Sequence, residues 1–145
     1  MNGDAYPELL VAGEWTPLSI MVNQQGKLIE MPESKLDTKA GFWSCIITSD
    51  LDNDGDMDII AGNHGLNSRF KASSKQAITM HVSDFDKNGT VEQIISVPNS
   101  EDIYPMVLRH DLVKQMPTLK KKYLKYENYK EQTVEDIFTP EQLQK

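Results

Sequence analysis

Asp50-Leu51-Asp52-Asn53-Asp54-Gly55-Asp56-Met57-Asp58 and Asp84-Phe85-Asp86-Lys87-Asn88-Gly89-Thr90-Val91-Glu92 start thirty-four residues apart and carry oxygen side chains at matching places around one glycine. Alternate acidic positions followed by a tight glycine turn suit a hard cation such as Ca²⁺, which takes about six to eight oxygen ligands on a flexible frame. Positions one, three, five and nine would supply side chains: Asp50, Asp52, Asp54 and Asp58 in one loop, Asp84, Asp86, Asn88 and Glu92 in the other. Position seven, Asp56 or Thr90, would offer its backbone carbonyl.

The opening D-x-D-x-D-G matches the start of an EF-hand, but that motif needs a bidentate Glu at position twelve. Ala61 and Ile95 stand there instead. The residues that follow, Ile59-Ile60-Ala61-Gly62 and Ile94-Ile95-Ser96-Val97, are short β-branched runs that read as strands, not as an exiting helix. Each loop is therefore expected to end at position nine and lead into a sheet.

A shortened copy opens the chain. Aligned on Asp54 and Asp58, Asn2, Asp4 and Glu8 take positions three, five and nine, Ala5 replaces the glycine, and Leu9-Leu10-Val11 follows as a strand. Position one would fall before Met1, so the chain is expected to begin inside a repeat, with no tight ion site at this copy. Acidic turns are common without any ion, because Asp, Asn and Gly suit turns. Three copies in register, each entering an apolar strand, argue for more, and clustered carboxylates repel one another unless a cation lies between them.

Charge follows the loops. Residues 1–100 hold 14 acidic and 7 basic side chains and residues 101–145 hold 8 of each, so the net charge of -7 belongs to the first stretch. The acidic balance argues against nucleic acid as a partner, since affinity there comes from cationic neutralisation of phosphates. No segment is long and apolar enough to span a membrane as a helix. Cys45 is the single cysteine and is expected to be a small buried strand residue.

Strands are expected at about 8–12, 18–23, 27–31, 42–48, 58–62, 78–83 and 92–97, with a hairpin turn at Gln24-Gln25-Gly26. Four strands between successive loops is the size of a β-propeller blade, while the two between the complete loops make the last repeat an altered blade. After Asp102 the pattern turns helical: Leu108, Leu112, Leu119 and Tyr123 recur at near-helical spacing, broken by Pro117. Thr133-Val134-Glu135-Asp136 and Thr139-Pro140-Glu141-Gln142 read as helix starts. Lys120-Lys121-Lys122 and Lys125 read as a solvated helix face, with Glu127 and Glu131 close by.

The expected fold is mainly β: about two propeller-like blades of an incomplete propeller, with calcium loops between strands, followed by a short α-helical segment. Residues 1–100 would hold the β repeats and 101–145 a helical accessory segment or insertion. Such a fragment has open sheet edges, to be covered by the helices or paired with another copy.

D-x-D-x-D-G-x-x-D followed by an apolar strand resembles the calcium loop of the FG-GAP/VCBS repeat family over roughly residues 2–100. Gly41-Phe42-Trp43 and Ala61-Gly62-Asn63 resemble bacterial secreted or cell-surface members. The resemblance implies propeller blades like those of integrin α subunits, with the ligand sets given above holding structural calcium. This chain departs from the family pattern where no Gly-Ala-Pro triplet follows the loops, where Asn88 weakens the second set, and where Glu92 replaces the usual Asp.

Two functions are consistent with the residues. The first is a non-enzymatic calcium-binding module, extracellular, periplasmic or on an outer membrane, that presents loops to a protein or carbohydrate. The second is part of a glycan-degrading propeller lyase or glycosidase, with paired carboxylates as acid and base. Against the second, the acidic clusters are accounted for by ligation, and His64, His81 and His110 are scattered with no zinc-type pair. His64 is the best candidate for an exposed functional histidine, His110 and Asp111 are helix neighbours expected to point apart, and Trp15 and Trp43 are more suited to packing than to sugar stacking.

Overall fold

The computed structural model describes residues 3–31, 40–65, 67–73 and 75–143. Asn2, assigned to the shortened loop, lies outside them. The chain divides into two compact units, Met1–Gly65 and Leu66–Lys145.

The first unit holds β1 (Leu9–Val11), β2 (Glu14–Thr16), β3 (Ser19–Gln24), β4 (Lys27–Glu30), β5 (Gly41–Ser49) and β6 (Asp58–Asn63). Among the described residues they form two antiparallel sheets of three strands, ordered β1-β3-β4 and β2-β5-β6. The hairpin between β3 and β4 turns at Gln25 and Gly26, whose φ of 53° and 95° suit the turn that matches strand twist. Gly26 N–H donates to Asn23 Oδ1 at 2.7 Å across it.

The four strands expected to form one blade are thus shared between two sheets. In this unit the strand that escaped the sequence reading is β2: it has three residues, Trp15 sits at φ 63°, and its pairing with β5 shifts register. A segment this short and irregular shows no period-two pattern. Cys45, expected to be buried, is exposed. It lies opposite Gly62, which has no side chain to cover the thiol, and its face continues into Ile47 and Ile60, 63% and 41% exposed. A Cβ at Gly62 would come within 2.6 Å of Cys45 Sγ, so a side chain there would require the thiol to rotate away.

The second unit holds β7 (Thr79–Ser83), β8 (Glu92–Asn99) and β9 (Asp102–Pro105) in one antiparallel sheet, ordered β7-β8-β9. β9 corrects the expectation that helix begins after Asp102: Ser100 at φ 58° turns the chain, and Ile103 and Tyr104 pair back onto Pro98 and Val97. Helices α1 (Arg109–Gln115), α2 (Val134–Ile137) and α3 (Pro140–Leu143) follow, with 3-10 turns at Pro117–Lys120 and Tyr126–Asn128. Pro117 separates α1 from the turn that follows, as the sequence indicated. At α2, Thr133 and Asp136 make a reciprocal capping box, with Asp136 N–H donating to Thr133 Oγ1 at 3.2 Å and Thr133 N–H to Asp136 Oδ2 at 2.9 Å.

The core of this unit lies between sheet and helices. Phe85 and Ile94 join Leu112, Met116, Tyr123, Tyr129, Val134, Ile137 and Phe138 in one buried cluster. Burial pushes the Tyr129 phenol well above its usual range, and its hydroxyl donates to the Val107 carbonyl at 2.6 Å. Among the described residues no helix is long and apolar enough to cross a membrane.

Candidate functional site

Both acidic loops connect the two strands of an antiparallel pair in the same register. Ser49 faces Asp58 across β5 and β6, and Ser83 faces Glu92 across β7 and β8. Position nine is thus the first residue of the outgoing strand in each case.

Within that frame the backbones follow one another. Position four is left-handed at Asn53 (φ 63°) and Lys87 (φ 60°), and position six at Gly55 (φ 93°) and Gly89 (φ 88°). The position-six N–H donates to the position-one carboxylate, Gly55 to Asp50 at 3.1 Å and Gly89 to Asp84 at 2.9 Å. The position-two N–H donates to the position-nine carboxylate, Leu51 to Asp58 at 2.9 Å and Phe85 to Glu92 at 3.0 Å. The position-seven N–H donates to position five, Asp56 to Asp54 at 2.8 Å and Thr90 to Asn88 at 2.7 Å. These bonds fix the side-chain oxygens by backbone donors, and Asp84 accepts at both of its oxygens, Oδ1 from the Asn88 N–H and Oδ2 from Gly89, each at 2.9 Å.

The consequence is a pair of acidic triads. Carboxylate oxygens of Asp50, Asp52 and Asp58 lie within 4.8 Å of one another, and so do those of Asp84, Asp86 and Glu92. Asp54 and Asp56 are both exposed and neither side chain joins the first triad, so the structure brings together three of the four side chains expected to ligate there. Asp50 Oδ1 and Asp86 Oδ1 are buried without a hydrogen-bond partner. A buried carboxylate oxygen with no donor is costly, so the absence of a protein donor at these two atoms fits a ligand role.

The shortened loop at the start keeps the same backbone. Gly3 and Ala5, at positions four and six, have φ of 71° and 70°, and Tyr6 N–H donates to Asp4 Oδ1 at 2.9 Å. The sequence reading missed the left-handed position four and the amide of position two. Asn53 is a residue type that tolerates left-handed backbone, whereas Lys87 gives no such signal.

Elsewhere the candidate residues serve packing. Trp15 packs edge-on against Phe42 with ring centroids 4.8 Å apart, and Phe42 N–H donates to Asn63 Oδ1 at 3.1 Å. His64 is exposed in the connection after β6, His81 lies in β7, and neither joins an acidic triad. His110 and Asp111, expected to diverge, meet: Nε2 lies 3.3 Å from the carboxylate, and Nδ1 lies 2.5 Å from the Tyr126 hydroxyl. Both side chains are more than half exposed at the start of α1, so no packing holds them apart.

Residues 1–61 match the FG-GAP-like repeat family. This stretch is similar to an FG-GAP-like repeat. It takes in the shortened loop, β1 to β5 and the first complete loop, and ends within β6. The motifs flanking that loop have clear structural work in the repeat: Gly41 leaves room for the Trp43 indole, which a Cβ would approach to 2.9 Å, and Asn63 caps the Phe42 amide. The second loop, outside the matched stretch, repeats the first in backbone and in three hydrogen bonds, and differs at the position-five N–H, which donates to Asp52 in the first loop and to Asp84 in the second. The comparisons with curated proteins and with solved structures found no match.

Proposed function

We propose that this chain is a calcium-binding repeat module of a secreted or surface protein, in which each acidic loop holds one Ca²⁺ that staples a pair of antiparallel strands. The observation that carries this reading is the duplicated triad: the same three positions converge in two loops of otherwise different sequence. Oxygens bound to one calcium at about 2.4 Å lie within about 5 Å of each other, which agrees with the spacing of both triads. Asp50, Asp52, Asp54 and Asp58 with the Asp56 carbonyl would hold one ion, and Asp84, Asp86, Asn88 and Glu92 with the Thr90 carbonyl the other. An all-oxygen set on a flexible nine-residue loop favours calcium over softer or smaller ions.

The ion's part is electrostatic and structural: it neutralises the loop and fixes the register at Ser49–Asp58 and Ser83–Glu92. Extracellular calcium modules bind at about 10⁻⁴ to 10⁻³ M, so sites of that kind fill outside a cell. The repeat would act as a scaffold, its sheets the counterparts of propeller blades, with the exposed face around Ile47 and Ile60 available to a further surface. FG-GAP-like repeats are typically structural, and this reading gives the chain no catalytic role.

Thermal unfolding tests it. Chelation with EDTA is expected to lower the midpoint by several degrees, and Asp54→Ala to lower it further in calcium than Asn88→Ala, because the first set carries one more ligand charge. A midpoint indifferent to both EDTA and calcium would overturn the proposal.

A further inference from the structure

The two loops share a backbone but differ in their cover. At position two Leu51 is 65% exposed, whereas Phe85 is 4% exposed. At position nine Asp58 is partly exposed, while Glu92 is 5% exposed. What covers the second loop is the end of the helical segment. Phe138, immediately after α2, packs on Phe85 with ring centroids 4.5 Å apart. Gln142, in α3, donates its side-chain N–H to the Phe85 carbonyl at 2.7 Å. The other end of the same amide, Gln142 Oε1, accepts the Thr139 N–H at 2.8 Å, so helix capping holds the donor in place.

We infer that Phe138 and Gln142 form a clasp that couples ion occupancy of the second loop to docking of α2 and α3, while the first loop exchanges its ion independently. The inference rests on the calcium reading above. Phe85 stands between the ligands at positions one and three, its N–H is tied to the ligand Glu92, and its carbonyl is tied to the clasp. Movement of the clasp therefore moves the backbone that carries three ligands. An ion that orders this backbone reduces the entropy lost when the clasp docks, and a docked clasp favours the ion by the same factor. Leu51, exposed at the matching position, has no equivalent cover among the described residues.

The test is a calcium titration of the intact chain followed at the Gly55 and Gly89 amides by NMR, in wild type, Gln142→Ala and the milder Phe138→Leu. The clasp predicts that both variants raise the calcium concentration for half-shift at Gly89 by about fivefold or more and leave Gly55 unchanged. It also predicts that calcium slows hydrogen exchange at Phe138 and Leu143 in wild type. A Gly89 midpoint that neither variant moves, or an equal shift at Gly55, would overturn the clasp while leaving calcium binding intact. No response of either glycine in wild type would remove the calcium reading, and the clasp with it.

Discussion

At the scale of single residues, the loops depend on two left-handed positions, and the shortened copy meets that demand with one misfit. Ala5 occupies position six at φ 70°, where the complete loops have Gly55 and Gly89. A Cβ in the left-handed region costs about 1 kcal/mol. Ala5→Gly is expected to stabilise the first unit by about 0.5 kcal/mol, less than the full strain because glycine also gains freedom in the unfolded chain. Both tryptophans, Trp15 and Trp43, lie in this unit, so their fluorescence during urea unfolding reads the change. An unchanged or lower midpoint would contradict it. The acidic positions were legible in the sequence because their side-chain oxygens are the chemistry. The amides of Leu51 and Phe85 were not, because a backbone N–H leaves no mark on residue type. Gln142 was legible as a helix cap, but its second bond, to Phe85, spans 57 residues and no local pattern encodes it.

At the scale of elements, α2 is only four residues long and owes its start to the box between Thr133 and Asp136. The backbone N–H and hydroxyl of Thr133 hold the carboxyl of the exposed Asp136 below the usual carboxylate range, and the nearby Lys122 adds a smaller lowering. With the folded value depressed, the contribution of this bond is fully present above the ordinary Asp range, about pH 4, and is lost as pH falls through the lower folded value. Thr133→Ala is expected to cost about 1 kcal/mol near neutral pH. The bond from the Asp136 N–H to the Thr133 hydroxyl is independent of the carboxyl's charge, so the difference from wild type should shrink only in part as denaturation is repeated toward about pH 2. A difference that stays constant would show that the hydroxyl's bond to the carboxylate contributes nothing. Capping boxes, Pro117 and the Gln25-Gly26 turn were legible because each is a short-range rule written in a few adjacent residues. β2 is too short to show a period, and β9 is masked by Pro98 and Pro105, residues that argue against ladder pairing until the structure shows them in it.

At the scale of the whole molecule, two units each carry one complete acidic loop, and only the first loop lies in the matched FG-GAP-like stretch. The mainly β architecture followed from the alternation of acidic loops and apolar runs. The distribution of strands between sheets did not, because strand partners are chosen by long-range pairing that the order of segments leaves open. A module of this kind would gain stability from its ions by mass action: at ten times the dissociation constant each site adds about 1.4 kcal/mol. The most direct measurement is therefore isothermal titration calorimetry of calcium into the intact chain, beside a variant carrying both Asp50→Asn and Asp84→Asn, substitutions that remove the position-one charges but keep acceptor oxygens. The account predicts two ions bound per chain in the wild type, at about 10⁻⁴ to 10⁻³ M, and loss of both in the double variant. Absence of binding in the wild type, or binding that the double variant retains in full, would contradict it.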